Sequence, residues 1–407
     1  MTKMKIVHIS IYPPIDKKHV RSGGVSSYTK NLITNIPYKE DDQVFVLCEK
    51  INNSFEKYIE GRITVIRCFD KKPSYVFQLL EEIKKIDPDV IHIQQELGLY
   101  GGILTAYLLQ WLLLFLKKYK TVITLHGVVS LKSVDRNFIK ENNSNLPTFF
   151  VKPAFYLIYK PLCIFAKKVI VHENIFKEIL INEYGVKEDK VEVVYHGIEN
   201  FTAIPREDAC KKLELDTNKD LVLFMGYLTG YKGIDLLIEG FSEYLKINSK
   251  AFLIIGAGKH PKLFADETYL KEYSRLENKA KELIPRDNYR WVGFIEESDI
   301  ISFYSAADVS IYPYTIQMSS SGPMSIAIGY EKPFLASDVF SGFIENKEIL
   351  FERNPKKLSE CLDKFFKSKE NNQDYIKKLK QERNWKIIGE KIYNTYEEGI
   401  CHNNSKL

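Results

Sequence analysis

The sequence predicts an α/β protein made of two doubly wound domains, each with a parallel β-sheet covered by helices on both faces. Short apolar runs typical of buried strands alternate with segments of helical spacing along almost the whole chain. This alternation is interrupted by a polar stretch near residues 199–219 and then begins again. With 407 residues, the chain also exceeds what one hydrophobic core usually accommodates.

In the first half, seven apolar runs are predicted to be strands, at residues 5–11, 44–49, 63–69, 90–96, 121–127, 168–172 and 191–197. Helices are predicted at 25–36, 75–86, 103–116, after 146 and from 175, and a polar loop is predicted at 128–146. We therefore place an N-terminal domain at residues 1–200.

In the second half, strands are predicted at 221–226, 251–258, 289–295, 309–312 and 333–337, again separated by helices. These elements define a second domain at residues 201–385. The last segment, 373–399, has helical spacing, and we expect residues 386–407 to pack back on the N-terminal domain.

The composition is that of an ordinary soluble globular protein, with 45% hydrophobic and 27% charged residues. A net charge of +5 is too small to indicate nucleic-acid binding, so no nucleic-acid partner is expected. The six cysteines lie far apart, without metal-ligand spacing, and indicate buried thiols in a reducing compartment. The N-terminal residues lack a signal-peptide h-region, and we expect a cytoplasmic protein.

The longest apolar stretch, residues 103–116, is followed by three lysines and contains Gln110. It is too short to span a bilayer comfortably, so a core helix is favoured over a helix lying on a membrane surface. A second candidate is the stretch at residues 149–165, where aromatic residues mix with lysines. A peripheral contact with the inner face of a membrane stays open.

Polar residues and glycines follow the predicted strands, where ligands of open parallel sheets bind. In the first half these residues are Gly23, Gly24, Gln94, Gln95, Glu96, His126 and His196. In the second half they are Gly226, Tyr227, Gly256, Gly258, Gly293 and Phe294. Glu96 either orients an acceptor or caps the next helix, whereas His92, His172 and Trp291 are expected to be structural.

A serine-rich loop at residues 319–321 leads through Gly322 and Pro323 into a short apolar segment. Serine or glycine at the cap and proline in the first turn indicate the start of a helix. Such an N-terminus either binds an anion, above all a phosphate, or is capped without a ligand.

The sequence lacks the signature motifs of several enzyme classes. The sequence has no G-x-G-x-x-G followed by an acidic residue, no G-x-x-x-x-G-K-[ST] and no G-x-S-x-G. Hydride transfer, P-loop ATP hydrolysis and a nucleophile-elbow hydrolase are therefore disfavoured. The sequence implies neither a metal nor another cofactor.

The chain resembles the family 4 glycosyltransferases of the GT-B fold over nearly its whole length. The similarity is carried by SGGVSSYTKNL (22–32), VIHIQQELGLYGG (90–102), TLHG (124–127), VEVVYHGIE (191–199), FMGYLTGYKGIDLLIEGF (224–241), LIIGAG (253–258), WVGFI (291–295), FYSAADVSIYPY (303–314) and KPFLASD (332–338). The resemblance implies two Rossmann-like domains facing a central cleft, with an acceptor in the N-terminal domain and a nucleotide-sugar donor in the C-terminal domain.

The resemblance also implies roles for individual residues. His126 matches the histidine that touches the donor sugar, and Lys232 matches a lysine that neutralises the donor diphosphate; both are catalytic candidates. Gly23 and Gly24 match the glycine loop beside the diphosphate, and Tyr227 replaces the arginine that usually pairs with Lys232. Further donor-binding candidates are Gly256, Gly258, Phe294, Ser320, Ser321 and Gly322, and acceptor-binding candidates are Glu96 and His196.

One departure from the family pattern concerns two glutamates eight positions apart. Counted back from Pro333, their places hold Met318 and Ile326. Glu331 is five residues beyond Ile326, about 140° away around a helix, and cannot replace it. Backbone N–H groups of Ser320, Ser321 and Gly322 are expected to hold phosphate or sugar instead.

The expected activity is retaining transfer of a hexosyl unit from a GDP-mannose- or UDP-hexose-type donor to a glycan or lipid-linked acceptor, in the synthesis of a polysaccharide or cell-surface glycan. The alternative is a catalytically weak or silent GT-B protein that binds a nucleotide-sugar or partners an active enzyme. A GT-B epimerase is disfavoured because the motifs are transferase-like.

Overall fold

The structure, a computed structural model, describes residues 3–15, 24–141, 147–259, 263, 266–316, 321–368 and 372–398. These residues form two compact units. The N-terminal unit contains the described residues up to Gly197 together with those from Trp385 onwards, and the C-terminal unit contains the described residues between them. Each unit is an α/β structure with its own largely parallel sheet, which confirms the predicted fold class.

The N-terminal unit has an eight-stranded sheet in the order β3-β4-β2-β1-β5-β6-β7-β8. Its strands are β1 (Lys5–Ile9), β2 (Gln43–Glu49), β3 (Glu56–Glu60), β4 (Ile63–Phe69), β5 (Val90–Gln95), β6 (Lys120–Leu125), β7 (Lys168–Val171) and β8 (Val191–Val193). All pairs are parallel except β3 with β4. The order runs outward from β1 in both directions, which places the connecting helices on both faces.

Six helices connect these strands. They are α1 (Gly24–Asn35), α2 (Tyr75–Ile86), α3 (Ile103–Phe115), α4 (Arg136–Glu141), α5 (Thr148–Phe165) and α6 (Asn174–Asn182). The central strands β1 and β5 are buried almost completely, as expected of strands covered on both faces.

The C-terminal unit has a six-stranded parallel sheet in the order β11-β10-β9-β12-β13-β14. Its strands are β9 (Asp220–Tyr227), β10 (Ala251–Gly258), β11 (Tyr289–Trp291), β12 (Val309–Tyr312), β13 (Phe334–Ser337) and β14 (Leu350–Phe351). Its helices are α7 (Arg206–Leu213), α8 (Ile234–Leu245), α9 (Glu267–Leu283), α10 (Glu297–Ala306), α11 (Gly322–Gly329), α12 (Pro355–Lys367) and α13 (Gln373–Glu382). The order reverses between β9 and β12, which creates the crevice typical of ligand sites.

A last helix, α14 (Trp385–Glu397), packs within the N-terminal unit against α1. Its Tyr396 hydroxyl lies 2.6 Å from His92 Nδ1, and its Tyr393 hydroxyl donates to Asp42 at 2.7 Å. Buried polar pairs of this kind fix the helix in one register, because each partner would be left unsatisfied without the other.

Several elements differ from the sequence-based expectations. The charged edge strand β3 was not predicted because its residues are largely polar, and α4 lies within the predicted loop. Strand β11 ends early because Gly293 adopts a positive φ of 77°. The predicted helix at 373–399 is two helices, since Ile198 N–H donates to the Arg383 carbonyl and draws the chain into a bridge at Asn384.

The described cysteines are all free thiols. Cys48, Cys68, Cys163 and Cys210 are buried and Cys361 is half-buried, whereas Cys401 lies outside the described residues. For these five, the prediction of thiols without disulfides is confirmed.

Three buried histidines of the N-terminal unit make its stability sensitive to acid. Burial lowers the pKa of His8 to about 3 and the pKa values of His92 and His126 well below the ordinary range. In the unfolded chain each histidine has a pKa of about 6.5, so below that pH the unfolded chain binds more protons than the folded protein. The free energy of unfolding therefore falls by about 1.4 kcal/mol per pH unit for each histidine as the pH is lowered. Hydrogen exchange of peptides from this unit, measured between about pH 7 and pH 5, checks the slope.

A His8→Gln variant isolates one contribution, because it removes the titrating group and retains a polar side chain at the Tyr38 hydroxyl, 2.8 Å from His8 Nε2. We expect a shallower pH slope for this variant. An unchanged slope would contradict the assignment to His8.

Candidate functional site

Neighbouring strands of the N-terminal unit bring together two predicted site residues, His126 and His196, and His172, which was expected to be structural. Strands β6, β7 and β8 are adjacent and parallel, so residues that follow them meet at one edge of the sheet. His126 follows β6, His172 follows β7 and His196 lies beyond β8. The Tyr28 ring of α1 lies against all three, with ring centroids between 4.6 and 5.1 Å away.

Hydrogen bonds determine which nitrogen of each ring carries a proton. His172 Nδ1 faces the Val194 carbonyl at 2.9 Å and must donate, so a neutral His172 accepts at Nε2 from His126 Nδ1, 3.3 Å away. His126 Nε2 is then an acceptor, and the atom 2.9 Å from it is Gln94 Oε1, whereas Gln94 Nε2 lies 3.3 Å from His92 Nε2. His126 and Gln94 can form a hydrogen bond when the Gln94 carboxamide is flipped, so that its nitrogen faces the His126 ring. The oxygen and nitrogen of a carboxamide can be exchanged in this way.

This arrangement makes His126 a neutral and fixed group. Burial lowers its pKa well below the ordinary value, and the neighbouring His172, His196 and His92 act in the same direction. Both ring nitrogens are engaged within the unit, and the residue is buried. His126 therefore supplies shape and a fixed dipole at this edge rather than a proton acceptor.

Two polar groups of α1 are left without hydrogen bonds within the described residues. Within the described part of the chain, the buried hydroxyls of Tyr28 and Ser26 have no partner. Buried polar groups in native proteins are nearly always paired, so unpaired ones at a sheet edge are suited to a ligand. Tyr28 was not selected from the sequence; its place in SGGVSSYTKNL is a signal that could have found it.

The other predicted residues of this unit vary in their surroundings. Glu96 is exposed after β5, and His196 Nδ1 lies 2.8 Å from the Gly197 carbonyl. Gly24 begins α1 and has open space where a side chain would be, whereas Gly23 lies outside the described residues. His92 is buried and bonded to Thr124 and Tyr396, as expected of a structural histidine. Acceptor binding by Glu96 and His196 stays a prediction.

In the C-terminal unit, the crevice between β9 and β12 contains Lys232. This lysine ends a 3-10 turn, Gly230–Lys232, just beyond β9. Its ammonium donates to the Tyr314 hydroxyl and lies 5.0 Å from the centroid of the Tyr231 ring. Gly226 is close by, because a Cβ added there would lie 3.9 Å from both Lys232 and Pro323.

Lys232 is an unusual cation because it is buried without a carboxylate. Only 8% of the residue is exposed, and among the described residues no ion pair is formed with it. Burial lowers the pKa of its ammonium to about 7. The Thr229 hydroxyl of the same turn is also buried and unpaired within the described chain. A cation and a hydroxyl in this state favour an anionic ligand.

The N-terminus of α11 lies close to Lys232, since a Cβ added at Gly226 would lie 3.9 Å from both Lys232 and Pro323. Ser321 is the N-cap, and its Oγ accepts from Met324 N–H at 3.3 Å and pairs with the Tyr314 hydroxyl at 2.9 Å. Tyr314 thus connects Lys232 to the cap of the helix. This confirms the predicted helix start at Ser321 and Pro323.

Two tyrosines fix the first turn of α11. The hydroxyls of Tyr304 and Tyr312 both donate to the Pro323 carbonyl, at 2.7 and 2.8 Å. Gly322 has open space where a side chain would be, so a ligand can approach its backbone closely. Ser320 lies outside the described residues, and its role stays a prediction.

Gly256 and Gly258, at the end of β10, have a structural reason to be glycines. A Cβ at Gly256 would lie 2.5 Å from Ile295, and one at Gly258 would lie 2.9 Å from Phe294. The Phe294 ring in turn stacks on Tyr227, with centroids 6.0 Å apart. Packing therefore accounts for both glycines, and donor binding by the four residues stays a prediction.

Ile326 lies at one of the two places where the family pattern has glutamates. It is half-buried and packs against the core of the C-terminal unit. Glu331 has a positive φ of 55° and forms an ion pair with Lys380 at 2.9 Å, so it does not take over the missing role. Met318 lies outside the described residues.

No group of three or more His, Cys, Asp or Glu side chains suited to a metal ion occurs among the residues that the structure describes.

Comparison with protein families assigns both halves of the chain. The family described as Glycosyltransferase Family 4 matches residues 22–200, and the family described as Glycosyl transferases group 1 matches residues 205–382. The two matches together span most of the sequence.

Similar proteins agree with this assignment. The mannosylfructose-phosphate synthase of Agrobacterium fabrum is 27% identical over 146 residues, 35% of this chain and 32% of that protein. The chain spans about a third of the length of the curated relatives that it matches. Among solved structures, sucrose-phosphate synthase from Thermosynechococcus elongatus has a TM-score of 0.73 at 18% identity, covering 98% of this chain and 100% of that one.

A second solved structure is HepE of Anabaena in complex with UDP, with a TM-score of 0.67 at 16% identity, covering 97% of this chain and 100% of that one. At such identities the likeness shows a shared fold.

The turn that carries Lys232 depends on Gly233. This residue has a φ of 67°, and a Cβ there would clash with the Pro313 carbonyl oxygen. We expect Gly233→Ala to lower the free energy of unfolding by about 4 kcal/mol, since strain and overlap add. Denaturant titration measures this loss.

Gly61→Ala is the matched control, because Gly61 has a φ of 61° with no atom within 4 Å of an added Cβ. That variant should lose only about 1 kcal/mol, the cost of the backbone conformation alone. Equal losses in the two variants would show that the contact with Pro313 is unimportant.

Proposed function

Because the chain belongs to the family 4 glycosyltransferases and has their GT-B fold, we propose that it transfers a hexosyl unit from a nucleotide-sugar to an acceptor hydroxyl. One observation carries this proposal. The buried ammonium of Lys232, which lacks a carboxylate among the described residues, lies beside the N-terminus of α11. A diphosphate would supply the negative charge that both features favour.

The proposed chemistry needs stabilisation of a leaving group. As the bond between the anomeric carbon and the phosphate oxygen breaks, positive charge develops on the sugar and negative charge on the nucleoside diphosphate. Lys232 and the N–H groups of α11 are positioned to stabilise the latter charge without rearrangement. Because Tyr314 and Ser321 already fix these donors, their orientation costs little during the reaction.

We propose that the transfer follows a retaining course. The acceptor oxygen forms its bond to the anomeric carbon on the face from which the diphosphate departs, and its proton passes to a phosphate oxygen. This course requires no pair of catalytic carboxylates. The neutral, fixed ring of His126 agrees with it, because no protein base has to accept the proton.

The donor is proposed to be a UDP-hexose or GDP-mannose. HepE of Anabaena, which shares the fold, is in complex with UDP. Ile326 offers no hydrogen bond where the family has a glutamate, so the sugar would be held by backbone N–H groups near Gly322. We propose a glycan or lipid-linked acceptor, a cytoplasmic location and a role in polysaccharide or cell-surface glycan synthesis.

A second candidate function is that of a silent protein that binds a nucleotide-sugar or partners an active enzyme. The apolar Ile326 favours it, because that position lacks the carboxylate that would orient the hexose. The two candidates share the diphosphate site and differ in turnover.

Substitution of Lys232 by methionine tests the transfer reaction. Methionine fills the same buried volume without a charge, so folding should be intact while donor turnover falls by about 10²–10³. The measurement is the release of nucleoside diphosphate from a panel of UDP- and GDP-hexoses, with and without added acceptor sugars.

The matched control is Lys259→Met, which removes an exposed lysine of the same unit that lies over the Tyr273 ring. Turnover by that variant should equal that of the wild type. If the wild-type protein binds a nucleotide but turns over no donor in the panel, the silent function is correct and the transferase proposal fails.

Nucleotide binding should weaken in alkaline solution. In the ligand-free protein the Lys232 ammonium has a pKa of about 7, so above this value an increasing share is neutral. Since a diphosphate binds the charged form, the affinity for UDP or GDP should fall by up to about tenfold per pH unit between about pH 7 and 8.5. Calorimetric titration at several pH values measures the trend.

Lys232→Met serves as the reference for this measurement, because it has no charge to lose. Its affinity should be low and independent of pH over the same interval. A wild-type affinity that does not change with pH would exclude Lys232 as the diphosphate ligand.

A further inference from the structure

Two helices of the N-terminal unit expose large apolar side chains to solvent. Helix α3 was expected to be a core helix, yet only one side of it is buried, chiefly Leu109, Leu112 and Leu113. The exposed apolar residues of α3 are Ile103, Leu104, Trp111 and Phe115, and those of α5 are Phe149, Phe150, Leu157 and Ile164. Soluble proteins rarely leave so many large apolar side chains exposed without a partner surface.

The exposed side chains form a stripe on each helix. On α3, Leu104, Trp111 and Phe115 are spaced by seven and four residues, which places them within about 40° around the axis. On α5, Phe150, Leu157 and Ile164 recur every seven residues, with the same consequence.

The two helices are neighbours. The Tyr107 hydroxyl of α3 donates to the Ala154 carbonyl of α5 at 3.0 Å. Near the C-terminal ends of both helices, the Lys117 ammonium lies 5.6 Å from the centroid of the Phe165 ring. Together, α3 and α5 form one surface element, which we call the α3–α5 pair.

The two chain segments that form the α3–α5 pair carry charge of one sign. The sequence has no Asp or Glu between Glu96 and Asp135, nor between Glu141 and Glu173, and these two intervals contain eight lysines. Lys117, Lys152 and Lys167 are exposed, and in the described part of the chain no carboxylate pairs with them. A protein partner of ordinary mixed charge would not need this segregation, whereas an anionic surface would be attracted by it.

The attachment of α5 to the rest of the unit decides how it can meet a membrane. By length and composition alone, Thr148–Phe165 could cross one. However, Ile158, Tyr159, Leu162 and Cys163 are buried, and the Tyr159 hydroxyl donates to the Gly127 carbonyl at 3.1 Å. With one side held against the unit, the helix presents only its other side, which is the geometry of a helix lying in an interface.

We propose that the α3–α5 pair docks on the surface of an anionic lipid bilayer. Leu104, Trp111 and Phe115 of α3 and Phe150, Leu157 and Ile164 of α5 enter the boundary between headgroups and acyl chains. Lys117, Lys152 and Lys167 add electrostatic attraction to the phosphate groups. This property is independent of the donor site, so its test does not depend on the proposed transfer reaction.

Vesicle binding by the full chain tests the proposal. The protein is mixed with vesicles of phosphatidylcholine containing about one third phosphatidylglycerol, and bound protein is separated by flotation. We expect the protein to bind vesicles of phosphatidylcholine alone at least about tenfold more weakly than the anionic vesicles. Binding to the anionic vesicles should decrease as salt is added, because several lysines contribute to it. Absence of binding to the anionic vesicles at low salt overturns the proposal.

Trp111 reports insertion directly. Of the three tryptophans, it is the exposed one, whereas Trp385 is buried and Trp291 is half-buried and bonded to Tyr273. Brominated acyl chains should quench the fluorescence of the vesicle-bound protein, and Trp111→Phe should abolish that quenching without loss of binding. Binding without any quenching in the wild type would mean that α3 does not enter the bilayer, contrary to the proposal.

Matched variants separate the docking surface from general hydrophobicity. Phe150→Ser with Leu157→Ser should lower binding by about tenfold or more, because two inserted side chains are lost. Phe55→Ser with Ile59→Ser is the control, since Phe55 is exposed to 55% and Phe150 to 59%. Ile59 lies in β3 and Phe55 directly precedes this strand, which is at the edge of the sheet opposite to β8. Equal losses in both double variants would overturn the proposal.

The lysines are tested in the same way. Lys117→Gln with Lys152→Gln should reduce both the binding and its dependence on salt, whereas Lys57→Gln with Lys84→Gln, at exposed positions elsewhere in the unit, should reduce neither. A second copy of the chain is the competing occupant. If light scattering shows dimers that Phe150→Ser with Leu157→Ser converts to monomers, while vesicles are not bound, the pair is a dimer interface and the lipid proposal fails.

Discussion

An uncompensated positive charge at Lys232 determines how the C-terminal unit is built around its crevice. The charge is placed there by a 3-10 turn beyond β9, and that turn depends on Gly233 lying against Pro313. Tyr314 then links the ammonium to Ser321 and so to the N-terminus of α11. Three separate segments of the chain are thereby arranged around the Lys232 ammonium. A buried cation of this kind costs free energy unless an anion binds beside it.

The N-terminal unit provides a different kind of environment. Its histidines are neutral because they are buried, and each hydrogen bond among His172, His126 and Gln94 fixes the proton of the next. Such a network is rigid, since a change of tautomer at one ring would require changes at the others. The C-terminal unit thus holds a buried cation, whereas the N-terminal unit holds a fixed, uncharged set of polar groups.

Structural features that depend on a local sequence pattern were predicted correctly. Apolar runs gave the buried strands, and the serine, glycine and proline before α11 gave its start, because capping is a local interaction. Lys232 and His126 were selected through motifs that resemble those of a family. The edge strand β3 was missed since its polar residues pair with only one neighbour, and the break between α13 and α14 was missed since it depends on a hydrogen bond from the distant Ile198.

The contacts that orient the candidate site were less accessible to sequence analysis. Tyr314 and Tyr28 both lie in motifs that resemble those of the family, but they are two of 25 tyrosines and the motifs do not say which residues they contact. Their importance comes from partners far away in sequence, Lys232 for the one and His126 with His172 for the other. The packing of Gly256 against Ile295 has the same origin, because a glycine at the end of a strand has the same local appearance whether it faces a ligand or a side chain.

The position of α14 has a consequence for biosynthesis. Tyr396 and Tyr393 complete the hydrogen bonds of His92 and Asp42, which lie some three hundred residues earlier in the chain. While the ribosome is still translating the C-terminal unit, the nascent N-terminal unit therefore lacks a helix of its own core, and its α1 surface is uncovered. The described residues of the C-terminal unit lie between Ile198 and Asn384, so all of them are synthesised before α14, and we expect the N-terminal unit to acquire its last helix only after the C-terminal unit has been made.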